Sequence, residues 1–205
     1  MMPARIKTKR RYQMQLRAER QNETRQRIVE ATVELHEAIG SAKTTVSAIA
    51  ERAGVERLTV YRHFPDERAL FTACTSHYLA KNPPPDPEPW QEIADPEQRL
   101  RVGLTAIYAY HRRTERMSKQ NAREIEERLS LREVLRPFFL YWERVVEILR
   151  SPWKGRASRH VQIRALIGHA VGFQTWYSLV RDQKLSEAEA VDLVVSAVRC
   201  LDSQH

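Results

Sequence analysis

The chain has 205 residues, 42% of them apolar, and a net charge of +8, which allows a small nucleic-acid-binding module plus one larger domain with a real core. No apolar run approaches the roughly 18 residues of a membrane-spanning helix, and the charged N-terminus lacks the apolar stretch of a secretory signal. Cys74 and Cys200 lie far apart with no metal-ligand pattern around them, so a reducing cytoplasm is expected, with both thiols buried as small hydrophobes. Only six glycines, with heavy use of Ala, Leu, Glu and Arg, lean the whole chain towards helix.

Residues 1–22 are polar, without a sustained apolar period, and are expected to be a disordered or loosely helical arm. Arg5, Lys7, Lys9, Arg10, Arg11, Arg17, Arg20 and Arg25 stand there or just beyond, against only Glu19 and Glu23. Such an arm can lie along a minor groove and gain affinity by releasing counterions, or it can be a solvated tail that aids solubility. A first helix is predicted from about Thr24 to Gly40–Ser41, burying Ile28, Ala31, Leu35 and Ala38 at spacings of three and four.

Thr44–Phe71 then reads as a helix–turn–helix. Thr44 and Thr45 offer N-cap oxygens, and Val46, Ile49, Ala50 and Ala53 follow at helical spacing. Gly54 ends that helix, because only a residue without a Cβ takes the left-handed turn cheaply. A second short helix, Val55 to Phe64, points Val60 and Phe64 one way and leaves Arg57, Thr59, Tyr61, Arg62 and His63 on its other faces. Pro65 stops it, and Asp66 can cap a fourth helix running to about Lys81. Two short helices about a Gly turn, the second with one apolar edge and one face of donors, suit major-groove reading. Arg57 or Arg62 could pair with guanine O6 and N7, while Leu58 and the Thr59 methyl could touch a thymine methyl.

Asn82–Trp90 holds five of the ten prolines and cannot be helical. The body beyond it is predicted as helices at about 96–117, 120–135, 137–150, 157–182 and 186–202, with Pro137 either starting a helix or kinking a longer one. Ile163, Leu166, Ala170, Phe173, Tyr177 and Val180 make one stripe, and Ala190 to Leu201 is apolar over most of its circumference. A terminal helix of that kind needs cover on nearly all sides, which points to a homodimer through about 157–202. The body's aromatics suit a small-molecule pocket between helices. The candidate lining is Tyr108, Phe138, Trp142, His169, Phe173, Gln174 and Tyr177. His169 and Gln174 attract attention as polar residues on an apolar helix, although His169 could equally be a core histidine bonded to a carbonyl.

Ala50–x–x–Ala53–Gly54–Val55, followed by Thr59–Val60–Tyr61–Arg62–His63–Phe64–Pro65, resembles the signature of the tetracycline-repressor (TetR) family of bacterial transcriptional regulators. The specific resemblance covers about residues 24–71. It implies phosphate contacts by Thr45, Tyr61 and His63, and a body that binds an effector altering DNA affinity. Three positions depart from the pattern: Glu56 where a small capping Ser is usual, Leu58 where Gly or another small residue is common, and Glu67 where a phosphate-binding Lys is typical. Carboxylates at the first and third suit helix N-termini but oppose a nearby phosphate.

The expectation is therefore an all-α protein: an arm at 1–22, a three-helix DNA-binding domain with its helix–turn–helix at 23–71, and a helical effector-binding and dimerisation domain at 72–205. It would bind double-stranded DNA as a repressor released by a largely apolar or aromatic ligand. The alternative is a dimeric DNA-binding protein whose body serves only dimerisation or protein contacts. No catalytic residue, metal, cofactor or membrane contact is expected. The chain has no Gly-rich phosphate loop, H-E-x-x-H or paired C-x-x-C, and no strand-to-helix serine elbow. Glu124, Glu126 and Glu127, beside Arg123 and Arg128, read as a salt-bridged, solvated helix face.

Overall fold

The computed structural model describes residues 4–121, 129–153 and 157–203, and every regular element among them is helical. They pack as two units, Met1–Lys81 with Gln120–Leu131, and Asn82–Lys119 with Arg132–His205. The acidic cluster at Glu124, Glu126 and Glu127 lies outside the described residues.

The first unit holds α1 (Ala4–Ile39), α2 (Val46–Ala53), α3 (Arg57–His63) and α4 (Glu67–Lys81). α1 starts at Ala4 rather than near Thr24. The arm carries Arg, Gln, Glu, Met, Leu and Ala with neither Gly nor Pro between Ala4 and Ile39, and this intrinsic preference continues the helix ahead of Ile28, although from Tyr12 to Arg27 no side chain is buried. Ile28, Val29, Ala31, Ile49, Ala50, Ala53, Val60, Phe64, Leu70 and Cys74 form the core. Ala38 is exposed and Leu35 only half-buried, while Thr32 is buried with its hydroxyl donating to the Ile28 carbonyl. α4 packs on α1, so the head as a packing unit extends to Lys81, past the boundary expected near Phe71.

Helix ends in the head are settled locally. The Thr45 side chain accepts from Ala48 N–H, and Asp66 Oδ1 accepts from Ala69 N–H at 2.7 Å. Gly54 takes φ 64° and ψ 43°, with its own N–H and that of Val55 returned to Glu51 and Ala50. That is the paired closure of a left-handed stop, and it fixes the angle at which α3 leaves α2.

The second unit holds a 3-10 turn (Glu88–Glu92), α5 (Pro96–Asn121) as far as Lys119, α6 (Leu129–Arg150) from Arg132 on, α7 (Ala157–Ala170), α8 (Phe173–Trp176) continuing as a π-helical turn (Tyr177–Asp182), and α9 (Glu187–Ser203). Pro137 sits inside α6, within one continuous helix. The proline-rich segment lies against the body: Tyr141 donates to the Pro85 carbonyl, Arg113 to that of Pro83, and Arg144 grips Glu88 with two bonds. Ser186 and Glu189 make a reciprocal capping box at the start of α9. Gly103 is required by close approach, since a Cβ there would meet Leu149 Cδ2 at 2.5 Å and Trp90 Cε3 at 3.3 Å.

Three expectations change in the body. The helix read as 157–182 stops at Ala170 and restarts at Phe173. Ala190, Val191, Val194, Val195 and Val198 of α9 are already buried by their own chain, whereas Leu193 of α9 and Val161 of α7 are the exposed apolar residues. α9 packs on α7 and on the π-helical turn. Cys200 is exposed, and only Cys74 is buried; burial pushes the Cys74 thiol up to about 12.

Arg99, buried to 8% exposure, ties the start of α5 to the end of α6. Its guanidinium donates to the carbonyls of Gln91, Ile93 and Ile148 and to the Ser151 hydroxyl. These acceptors are all neutral, so the charge is held by hydrogen bonds alone. Arg99→Met removes four hydrogen bonds, one of them buried, and a buried acceptor left short of partners costs about 1–3 kcal/mol. A loss of at least about 2 kcal/mol in urea unfolding is expected; a smaller loss would mean that water reaches those carbonyls.

Candidate functional site

Two sets of residues were expected to carry function. In the head, α3 buries Val60 and Phe64 to 1% and 2% exposure and presents Arg57, Leu58, Tyr61 and Arg62 outward. Thr59 and His63 are half-buried at its sides. Thr45 is exposed at the start of α2. Its oxygen accepts the Ala48 N–H with one lone pair, which leaves its O–H proton free to donate to a phosphate.

Arg25 is the residue that sequence reasoning assigned only to the basic arm. Its guanidinium lies 4.2 Å from the centroid of the Phe64 ring and donates to the His63 carbonyl. α1 thereby holds the C-terminal end of α3, where carbonyls lack helical partners. The signal was available in principle, because Arg25 is three residues before the buried Ile28 and so falls on the core-facing side of α1. His63 sits in the resulting positive field. Its pKa is lowered by burial first, then by Arg25 and Arg62.

The departures from the family pattern are visible too. Glu56 is the N-cap of α3 and makes no side-chain capping bond. Glu67 and Asp66, with Thr44, Val46 and Tyr61, line a cleft of about 360 Å³ against α3. Carboxylates therefore stand close to the very face that also carries Arg57 and Arg62.

In the body, the structure brings Tyr108, Phe138, Trp142, Phe173 and Tyr177 together and leaves His169 and Gln174 exposed. The centre of the nest is His111. Its ring is stacked on Trp142 at 5.6 Å and meets Phe173 edge-on at 5.7 Å. Where α7 breaks, the Ala170 carbonyl accepts from the Tyr108 hydroxyl and the Val171 carbonyl lies 2.9 Å from His111 Nε2. Burial pushes Tyr108 up to about 12 and His111 down to about 4. His169 stands beside the break with its carbonyl taken by Gly172 N–H and the Thr175 hydroxyl, so it is the backbone of this residue that is used. His169, expected to orient a ligand, is exposed beside the break, while His111 of α5 stands at the centre of the ring cluster.

Among the described residues, no group of three His, Cys, Asp or Glu is placed to hold a metal ion, and no helix is long and apolar enough to cross a membrane.

The family pattern described as bacterial regulatory proteins, tetR family, matches residues 28–74. No curated protein sequence matches the chain. Solved structures share its fold over most of its length. A HlyIIR mutant protein carrying a linker substitution has a TM-score of 0.62 at 20% identity, covering 86% of this chain and 96% of its own. NalD, the secondary repressor of the MexAB-OprM multidrug efflux pump in Pseudomonas aeruginosa, gives 0.56 at 20%, covering 89% and 96%. The transcriptional regulator FadR from Bacillus subtilis, in complex with stearoyl-CoA, gives 0.52 at 19%, covering 88% and 99%. At these identities the likeness establishes the architecture, an N-terminal helix–turn–helix head followed by a larger helical body.

Glu56→Ser gives α3 the side-chain cap it lacks and removes a negative charge from the exposed face. The expected gain is about 1 kcal/mol of unfolding free energy, together with tighter binding to duplex DNA at low salt. Unchanged stability would show that the Glu56 side of α3 cannot accommodate a capping geometry.

Proposed function

We propose, from a head that belongs to the tetR family of bacterial regulatory proteins, that this protein is a sequence-specific, cytoplasmic transcriptional repressor released from a pseudo-palindromic operator by a small, largely apolar or aromatic molecule. The observation that carries the reading is α3 itself: its apolar edge is sealed into the head while Arg57, Leu58, Tyr61 and Arg62 are exposed together. Thr45, Tyr61 and His63 are assigned to phosphate, and Arg57, Leu58, Thr59 and Arg62 to bases. The protein acts as a homodimer through about 157–202, presenting two heads to successive half-sites. The apolar exposure of Val161 and Leu193 supports that interface.

Effector control rests on the body's aromatic residues, Tyr108, Phe138, Trp142, His169, Phe173, Gln174 and Tyr177. A protein of the same fold holds stearoyl-CoA, so this kind of body can accommodate a largely apolar ligand. By linkage, an effector shifts DNA affinity only by its differential affinity for the two arrangements of the heads, typically about 1–3 kcal/mol.

Selection of bound sites from random duplexes should return a two-fold symmetric sequence, and Arg62→Ala should cost about 1–3 kcal/mol on that sequence while relaxing preference at one or two positions. Equal loss on random DNA would make Arg62 a phosphate contact. If no compound releases the selected site, the body serves assembly alone.

DNA binding should also strengthen on acidification through His63. Its pKa lies below 6.5 in the free protein, and a neighbouring phosphate raises it, so the complex takes up a proton. Affinity should then rise as pH falls through the bound-state pKa and level off below the free-state one. Each unit of difference is worth about tenfold, and His63→Gln should abolish the slope. Finally, Val161→Glu with Leu193→Glu should give a folded monomer by sedimentation; a surviving dimer would place the interface elsewhere.

A further inference from the structure

Among buried polar atoms without a hydrogen-bond partner, two lie in one aromatic nest: His111 Nδ1 and Trp176 Nε1. The residues are 3% and 0% exposed, and their ring centroids are 6.1 Å apart. Natural interiors close nearly all such groups, because each one left open costs free energy without return.

The chemistry of each atom follows from its neighbours. The Val171 carbonyl can only accept, so the His111 Nε2 beside it carries the proton. Burial holds the ring far below its ordinary pKa, at about 4, so the imidazole is neutral at pH 7 and Nδ1 is a bare lone pair. The Trp176 indole nitrogen is a donor only. The nest thus offers one acceptor and one donor, both uncharged.

A hydroxyl satisfies such a pair because it donates to one atom and accepts from the other. A carboxylate brings no proton for Nδ1 and would be desolvated among rings; an ammonium brings no acceptor for the indole. The stacking of Trp142 on His111 and the edge-on Phe173 favour a flat ring beside that hydroxyl. Trp142, Phe138 and Phe173 are half-buried, so the nest reaches the surface on their side, and entry requires those rings to part.

We propose that His111 and Trp176 form the polar end of a binding site for neutral hydroxy-aromatic molecules, with the ligand ring clasped by Trp142 and Phe173. This names the ligand class of the effector domain inferred above and rests on that reading for its link to DNA.

The test is equilibrium dialysis of the full chain with 1-naphthol, naphthalene and 1-naphthoate, which differ only at the polar end. The intact protein should prefer 1-naphthol to naphthalene by about tenfold or more and should exclude 1-naphthoate. His111→Phe should reduce the preference to about one, with helical content and DNA binding retained. Trp176→Phe, which removes the indole donor and keeps an aromatic ring, should lower the preference partway, and it answers the question even if His111→Phe fails to fold. Equal binding of 1-naphthol and naphthalene by the intact chain, or an unchanged preference in the variant that folds, overturns the site. DNA release is scored separately. Naphthol bound through His111 without release keeps the site and removes its role as effector pocket. Release by a compound that binds His111→Phe equally well keeps effector control and removes the site.

Discussion

A helix that stops leaves backbone groups without partners, and in a chain whose described elements are all helical the architecture depends on how each stop is settled. Two solutions are used. In the head the partners of α2 and α4 are local: Thr45 and Asp66 receive the first N–H groups of these helices, and Gly54 turns left-handed so that the last carbonyls of α2 are closed by the next two N–H groups. In the body, beside the local box of Ser186 and Glu189, further partners come from far along the chain. Arg99 gathers carbonyls from the 3-10 turn and the end of α6, while Tyr108 and His111 reach the carbonyls freed where α7 breaks. The local stops set the pose of α3, and the distant ones bind α5 to the rest of its bundle.

That division explains what could be read from the sequence. The helix–turn–helix was legible because its caps, its glycine and its buried Val60 and Phe64 lie within about twenty residues of one another, and each signals alone. The break at Val171–Gly172 was not. A single Gly in an apolar stripe is compatible with a continuous helix, and the groups that reward the break sit on α5, sixty residues away. His169 was chosen because it interrupts the stripe; the stripe itself is interrupted, and the histidine falls outside. His111, followed by Arg112 and Arg113, carries no comparable signal in the sequence. α9 shows the same limit, since an all-round apolar pattern tells that cover exists without telling which chain provides it.

The head's electrostatics carry a compromise. Burial first, then the charges of Arg25 and Arg62, depress His63, yet Glu56, Asp66 and Glu67 stand beside the α3 face. Carboxylates at helix starts suit the helix dipole, and they also subtract from the sequence-independent attraction to phosphate. By that sum, the basic residues of α1 before Thr24 stand to offset what the carboxylates take away.

The arm's helicity changes what it can offer. α1 is 36 residues long, about 54 Å at the helical rise, and the portion before Thr24 accounts for roughly 30 Å of it. A coil of the same composition would wrap a groove and lose its freedom on doing so. A rod has surrendered that freedom in folding, so contact with a partner costs it little ordering, but a straight rod cannot follow a curved groove. Its reach is close to one turn of duplex, and its charges can meet only what lies along a line. Any partner that curves away from that line would touch only part of it.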